Sequence, residues 1–155
     1  MEATTDGAVK ALLVCSPGGH LLQMLCLQPA WNDLTRVWVT LEAADSKHLL
    51  RDERVVIAHG PTNRSLGALL ANMRLAWRVV RHERPDVILS TGAALAFPFF
   101  LAGKLHGTRL VYVESLTRIR SLSLTGRLIH PLADALFVQW PEAAGGKARF
   151  EGGLL

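Results

Sequence analysis

Short apolar runs separated by segments with helical spacing constrain this chain more than any other feature. The runs are 9–15 (VKALLVC), 36–41 (RVWVTL), 54–58 (RVVIA), 87–90 (VILS), 109–113 (RLVYV) and 135–138 (ALFV). They are rich in β-branched, aliphatic and aromatic residues. A strand with one wet face alternates apolar and polar residues, so near-continuous runs fit strands covered on both faces of a parallel sheet. The stretches between them, 21–27, 43–51, 63–83, about 93–106 and 122–132, suit crossover helices, and 148–151 reads as a short last strand or turn. The fold class is α/β: a Rossmann-like parallel sheet with helices on both faces. On the 63–83 helix, Leu66, Leu69, Leu70, Met73 and Trp77 fall on one side and read as its core-facing stripe, with Asn63 or Ser65 as the cap. Residues 1–8 read as a flexible N-terminus and 9–155 as a single domain.

Composition sharpens this picture without choosing a partner. Half of the residues are hydrophobic and 19% are charged. Either the sheet is covered on both faces, or part of the surface meets a membrane or another protein. The net charge of +4 is spread along the chain. It suits phosphates, anionic lipid heads or nucleic acid, and equally an ordinary soluble surface. The aromatic–basic interleaving of nucleic-acid binders is missing from the sequence, so no nucleic-acid partner is expected. Metal-ligand spacing, paired carboxylates and a Ser/His/Asp order are missing too, and neither a metal nor a cofactor is expected. Cys15 and Cys26 read as buried thiols of a reducing compartment. The longest apolar run, 93–102, falls well short of the roughly twenty residues a spanning helix needs. The first residues lack the pattern of a signal peptide. The expected location is therefore cytoplasmic, peripheral on the inner face of the cell membrane.

Ligands of an open parallel sheet sit outside the carboxyl ends of its strands. The residues there are mostly small or polar. Ser16-Pro17-Gly18-Gly19-His20 is the sharpest group. Two glycines between a buried strand and a helix allow positive φ and close backbone approach, and the helix start offers free amides to a phosphate. The spacing is neither the dinucleotide fingerprint nor a P-loop. His20 can donate to a phosphate, act as a base, or simply cap the helix. Ser90-Thr91-Gly92 looks like a second anion or hydroxyl pocket. The helix it opens carries Phe97, Phe99 and Phe100, a face for the core or for lipid. Glu114, with Ser115 and Arg118 behind it, suits sugar hydroxyls and diphosphate charge, or a plain Glu114–Arg118 pair. Trp140 suits either sugar stacking or packing.

These residues carry a family resemblance. SPGGHLLQMLCLQP resembles the glycine-rich opening of the acceptor-side half-glycosyltransferases, and RPDVILSTGAALAFPFFLAGKLHG and VYVESLTRIRSLSLTGRLIHPLADALFVQWPE resemble their two later blocks, in the same order. The family includes the membrane-recruiting subunit of the two-part enzyme that adds the second N-acetylglucosamine to the dolichol-linked precursor of N-glycans. It also includes paired bacterial exopolysaccharide and capsule subunits, the branch this chain resembles more. The resemblance implies the N-terminal domain of the GT-B fold, similar to the peptidoglycan enzyme that glycosylates an undecaprenyl lipid intermediate. It implies a metal-independent inverting transfer from a UDP-sugar, the co-substrate, to a polyprenyl-diphosphate-linked saccharide in polysaccharide biosynthesis. A small donor-binding subunit would supply the missing lobe, and the membrane surface would be met peripherally. His20 or Glu114 would be the catalytic base. Ser16, Gly18, Gly19, Ser90, Thr91, Gly92, Ser115 and Arg118 would bind the acceptor and its phosphates. The rival expectations are a non-catalytic membrane-recruiting scaffold and a stand-alone nucleotide-binding module.

Overall fold

The computed structural model describes residues 7–62 and 65–154. Most of the expected flexible start (residues 1–6) and Asn63 therefore lie outside the described residues. Seven strands form one sheet in the order β3-β2-β1-β4-β5-β6-β7, every neighbouring pair parallel. They are β1 (Lys10–Cys15), β2 (Thr35–Thr40), β3 (Val55–Ile57), β4 (Val87–Gly92), β5 (Arg109–Val113), β6 (Ala135–Phe137) and β7 (Ala148–Arg149). The α/β reading holds, and the apolar runs mark the strands because the central ones are covered on both sides. The strand order changes direction between β1 and β4. That junction is the topological switch where an open sheet opens a crevice. The β1–β4 register also shifts there, between Val14 and Cys15, so that Cys15 faces Gly92.

Two layers of helix cover the sheet. On one face, α4 (Leu66–Glu83), α5 (Ala96–Leu105) and α6 (Leu124–Ile129) pack on Leu12, Val14, Ile88, Leu110, Tyr112 and Leu136. On the other, α1 (Gly19–Cys26) and Trp31 of the short α2 (Gln28–Trp31) pack on Ala11, Leu13, Cys15 and Trp38. The short helix α3 (Ala44–Leu49) follows β2. Alternation along each strand feeds both cores, since successive side chains point to opposite faces.

The structure corrects the sequence reading of α4. Ser65 caps it, accepting from the Ala68 amide, but the face turned inward is Asn72, Ala76, Val79, Val80 and Glu83. Leu66, Leu69, Leu70 and Trp77 are exposed. The cause is the neighbour. Helix α5, apolar but for Lys104, sits centrally with Phe99 and Phe100 fully buried, and α4 shares its core through Ala76, Val79 and Val80. This also removes Phe99 and Phe100 from contact with lipid. Asn72 is buried because its amide group bridges the His59 backbone, accepting from N–H and donating to C=O.

Candidate functional site

The site forms where β1 and β4 part. Gly18 takes φ 77°, a left-handed conformation that a side chain would strain, and so turns the chain sharply into α1. No side chain caps this helix, and its first amides point outward without partners in the helix. One amide of the turn is already held: Gly18 N donates to Asp45 Oδ2 at 2.6 Å. A carboxylate reaching from the first turn of α3 thus fills part of the expected phosphate cradle. Below it lies Cys15, whose thiol is pushed up to about 12, by burial first and the Asp45 charge second. Cys15 is therefore an inert core thiol.

His20 is held by reciprocal bonds to β4. Its Nδ1 lies 2.9 Å from the Thr91 carbonyl, and the Thr91 hydroxyl donates to the His20 carbonyl at 2.6 Å. A carbonyl only accepts, so Nδ1 carries a hydrogen, and in the neutral imidazole the lone pair is then on Nε2. Gly92, at φ 126°, lies beneath the ring; a Cβ there would stand 2.9 Å from His20 Cε1 and 3.3 Å from the Tyr112 hydroxyl. Ser90 and Thr91 are fully buried, and Ser90 Oγ accepts from the Gly92 amide. This corrects the expectation of a second open anion pocket at Ser90-Thr91-Gly92. These residues brace His20 from below.

Glu114 directly follows β5, close to where the sequence put it, but it does not face the crevice. It is 1% exposed. Oε1 accepts from Ser115 N at 2.9 Å, and Oε2 accepts from Ser123 N at 2.9 Å and Ser123 Oγ at 3.0 Å. A Cβ at Gly126 would collide with Oε2. The carboxylate therefore ties β5 to the start of α6, where Ser123 is the cap and accepts from Gly126 N. It bonds with these groups rather than with Arg118, so neither the base in the cleft nor the Glu114–Arg118 pair describes it. Tyr112 lies beneath; burial first, and the Glu114 charge second, push its phenol above the ordinary value and keep it protonated. Beyond Glu114, Ser115 Oγ and Thr117 Oγ1 are 3.0 Å apart and Arg118 N donates to Ser115 O. This turn carries Arg118 at its exposed end, and the Trp140 indole pins it by donating to Leu116 O at 2.7 Å.

Between α1 and this turn runs a groove of about 770 Å³. Gly19, His20, Ser115 and Thr117 supply its polar end, and Leu22, Leu25 and Leu116 its apolar side. Cys26 also lines it and is exposed, not buried as the sequence suggested. The structure thus brings Gly19, His20 and Ser115 to one groove, with Gly18 and Ser16 at its loop and Arg118 at the turn. Sequence reasoning missed Asp45, Tyr112 and Ser123. A serine ahead of the α6 run was a legible cap; nothing local marks Asp45 or Tyr112. Among the described residues no cluster of three or more His, Cys, Asp or Glu suits a metal, and no helix is long and apolar enough to cross a membrane.

The fold is Rossmann-like and resembles the N-terminal domain of the GT-B fold. Acinetobacter baumannii MurG matches with a TM-score of 0.73 at 17% identity, over 92% of this chain and 44% of that one. S. aureus MnaA, solved with UDP, matches at 0.71 and 16%, over 94% and 45%. At such identities the likeness is one of fold. The family follows from sequence: the chain belongs to the family described as "Oligosaccharide biosynthesis protein Alg14 like", whose model matches residues 59–153. Relatives named UDP-N-acetylglucosamine transferase subunit ALG14 include that of Cryptococcus neoformans var. neoformans, 50% identical over 52 residues, covering 34% of this chain and 23% of that one. The Eremothecium gossypii protein is 39% identical over 102 residues, covering 61% and 45%, and the Debaryomyces hansenii protein 28% over 164, covering 86% and 70%. The chain spans less than half the length of the Cryptococcus and Eremothecium relatives.

Proposed function

We propose that residues 9–155 form the acceptor-side domain of a two-part glycosyltransferase. A small donor-binding subunit brings a UDP-sugar, and this chain binds a polyprenyl-diphosphate-linked saccharide at the inner membrane face. The relatives' names favour UDP-N-acetylglucosamine as the donor. The polysaccharide setting implied by the bacterial branch belongs to the same proposal. The observation that carries it is His20, which lines the polar end of a partly apolar groove while its Nδ1 is fixed on Thr91 O. In the reaction the acceptor hydroxyl gives its proton to Nε2. Its oxygen bonds to the anomeric carbon, and the bond to UDP breaks with the electron pair leaving on UDP. The free amides of Gly19 and His20, with Ser115 and Arg118, hold the acceptor's diphosphate, while the apolar side takes the first part of its lipid. Glu114 positions the turn that bears Ser115 and Arg118. No metal or other cofactor enters this scheme.

The test is transfer from a radiolabelled UDP-sugar by the co-expressed pair on membranes. His20→Ala is expected to lower kcat by about 10²- to 10⁴-fold, the range typical of a lost general base, with the circular dichroism spectrum unchanged. The scaffold reading draws on a different observation, that Asp45 and the Ser115–Ser123 bonds already occupy Gly18 and Glu114. It requires His20→Ala to retain full activity.

A further inference from the structure

The glycine turn between β1 and α1 already holds an anion, and it comes from another part of the chain. Asp45 Oδ2 accepts from Gly18 N at 2.6 Å, and Asp45 Oδ1 accepts from Ser46 N at 2.9 Å. The carboxylate thus ties the first turn of α3 to the turn before α1. Among the described residues Asp45 forms no ion pair, and the lysine of its own helix, Lys47, is taken by Glu42. What holds it is two amide N–H groups. Its charge is felt beneath the turn as well, where it adds to burial in pushing up the Cys15 thiol. Asp45 is half-buried and Gly18 is exposed, so solvent reaches the contact. A Cβ built on Gly18 or Gly19 would meet no atom of the described residues within 4 Å, which leaves room for a larger anion over the turn. Helix α3 does not depend on this carboxylate for its place. Ser46 Oγ donates to Leu41 O at 2.9 Å and accepts from Ala43 N at 3.1 Å. Asp45 can therefore leave Gly18 by side-chain rotation while the backbone of α3 stays where it is.

We propose that Asp45 is a built-in competitor at the diphosphate site, occupying the Gly18 amide in the free chain and yielding it to a diphosphate oxygen. Two acceptors compete for the one N–H, and a carboxylate kept beside a bound diphosphate would repel it. An internal competitor weakens every anion by one common factor, set by the fraction of molecules in which the amide is released. Selection follows from the threshold this creates. Inorganic phosphate and pyrophosphate gain only the amides, Ser115 and Arg118, and stay below it. A diphosphate that carries an apolar chain also gains the Leu22, Leu25 and Leu116 side of the groove, and passes it. Asp45 is thus a specificity-determining residue that keeps small free anions off the turn. The inference rests on the proposed function for what the groove receives; the competition at Gly18 stands on the geometry.

Pyrophosphate, which has the charge and lacks the lipid, is the probe. In titration calorimetry of the purified chain, Asp45→Asn and Asp45→Ala should bind pyrophosphate about tenfold or more tighter than the wild type. A carboxylate that merely braced the turn would give the opposite sign, since its removal would loosen the amides and weaken binding. Glu42→Gln removes an exposed carboxylate of the same segment and controls for net charge; it should change the affinity by less than about twofold. In the wild type, amide NMR should show the Gly18 resonance moving together with those of Gly19 and His20 at saturating pyrophosphate, as Asp45 departs. This measurement requires no variant to fold. The proposal is overturned if both Asp45 variants bind pyrophosphate no tighter than the wild type, if Glu42→Gln tightens it equally, or if Gly18 stays put while Gly19 and His20 shift. Absence of binding by every one of these proteins overturns it too, because removing a competitor must expose the site. Tighter binding by the Asp45 variants, alongside a co-expressed pair that transfers no sugar, would count against the proposed function alone. Unchanged binding alongside an active pair would remove the role of Asp45 alone.

Discussion

Under the proposed function, His20 depends on the floor beneath it. Gly92 holds φ 126° and leaves no room for a methyl group under the imidazole. Gly92→Ala should therefore cost about 1–3 kcal/mol of stability from backbone strain, and it should lower transfer by tilting Nε2 away from the groove. Urea unfolding and a paired transfer assay measure both. Glu114 separates a structural carboxylate from a catalytic one. In Glu114→Gln, one acceptor oxygen becomes an amide N–H facing donors of Ser115 or Ser123. Loss of about 1–3 kcal/mol is expected, with the folded fraction still active; normal stability with activity abolished would make Glu114 the base after all. These two residues also mark how far the sequence reached. That they follow β1 and β5 was readable, because apolar runs end there. Their partners were not, because Thr91 and Ser123 come from other segments, and only folding decides which of two strand-end groups turns to solvent.

At the scale of elements, the sheet was legible because buried strands carry their apolar residues without interruption. Helix α4 was not, because its large residues and its buried residues lie on different faces. Asn72 and Glu83 face inward, and only their partners make that tolerable. Glu83 stitches the end of α4 to β1 through Lys10, and Arg54, just before β3, adds two more bonds, one to each carboxylate oxygen. Burial alone would raise its pKa, but the Lys10 hydrogen bond and charge, joined by Arg54, outweigh it and hold the carboxyl below its ordinary 4.5. A carboxylate with a depressed folded pKa stabilises the protein above its unfolded pKa, about 4.3, and that contribution is lost as pH falls through the lower folded value. Glu83→Gln should thus cost about 1–2 kcal/mol at pH 7. The wild-type and variant unfolding midpoints should converge only as the pH drops below 4.3, the ordinary carboxylate range. A gap that persists unchanged into acid would show that the charge contributes nothing.

At the scale of the whole molecule, the chain matches somewhat under half of the length of each solved neighbour, and its described residues form one seven-stranded sheet. An open switch point on one sheet offers a ligand only one wall. Under the proposed function the nucleotide's contacts lie on the other subunit. This wall has the Gly19 and His20 amides, one histidine and an apolar groove, and the Gly18 amide is already occupied by Asp45. Small ligands reach useful affinity only when most of their surface is buried between walls. Titration calorimetry of UDP into the isolated chain should accordingly give a Kd weaker than about 1 mM, worth at most roughly 4 kcal/mol. The same titration into the assembled pair should tighten by about a hundredfold, or some 2.7 kcal/mol, as the crevice acquires its second side. Micromolar UDP binding by the chain alone would mean that this lobe holds the nucleotide itself, and the division of labour proposed for the two subunits would have to be reversed.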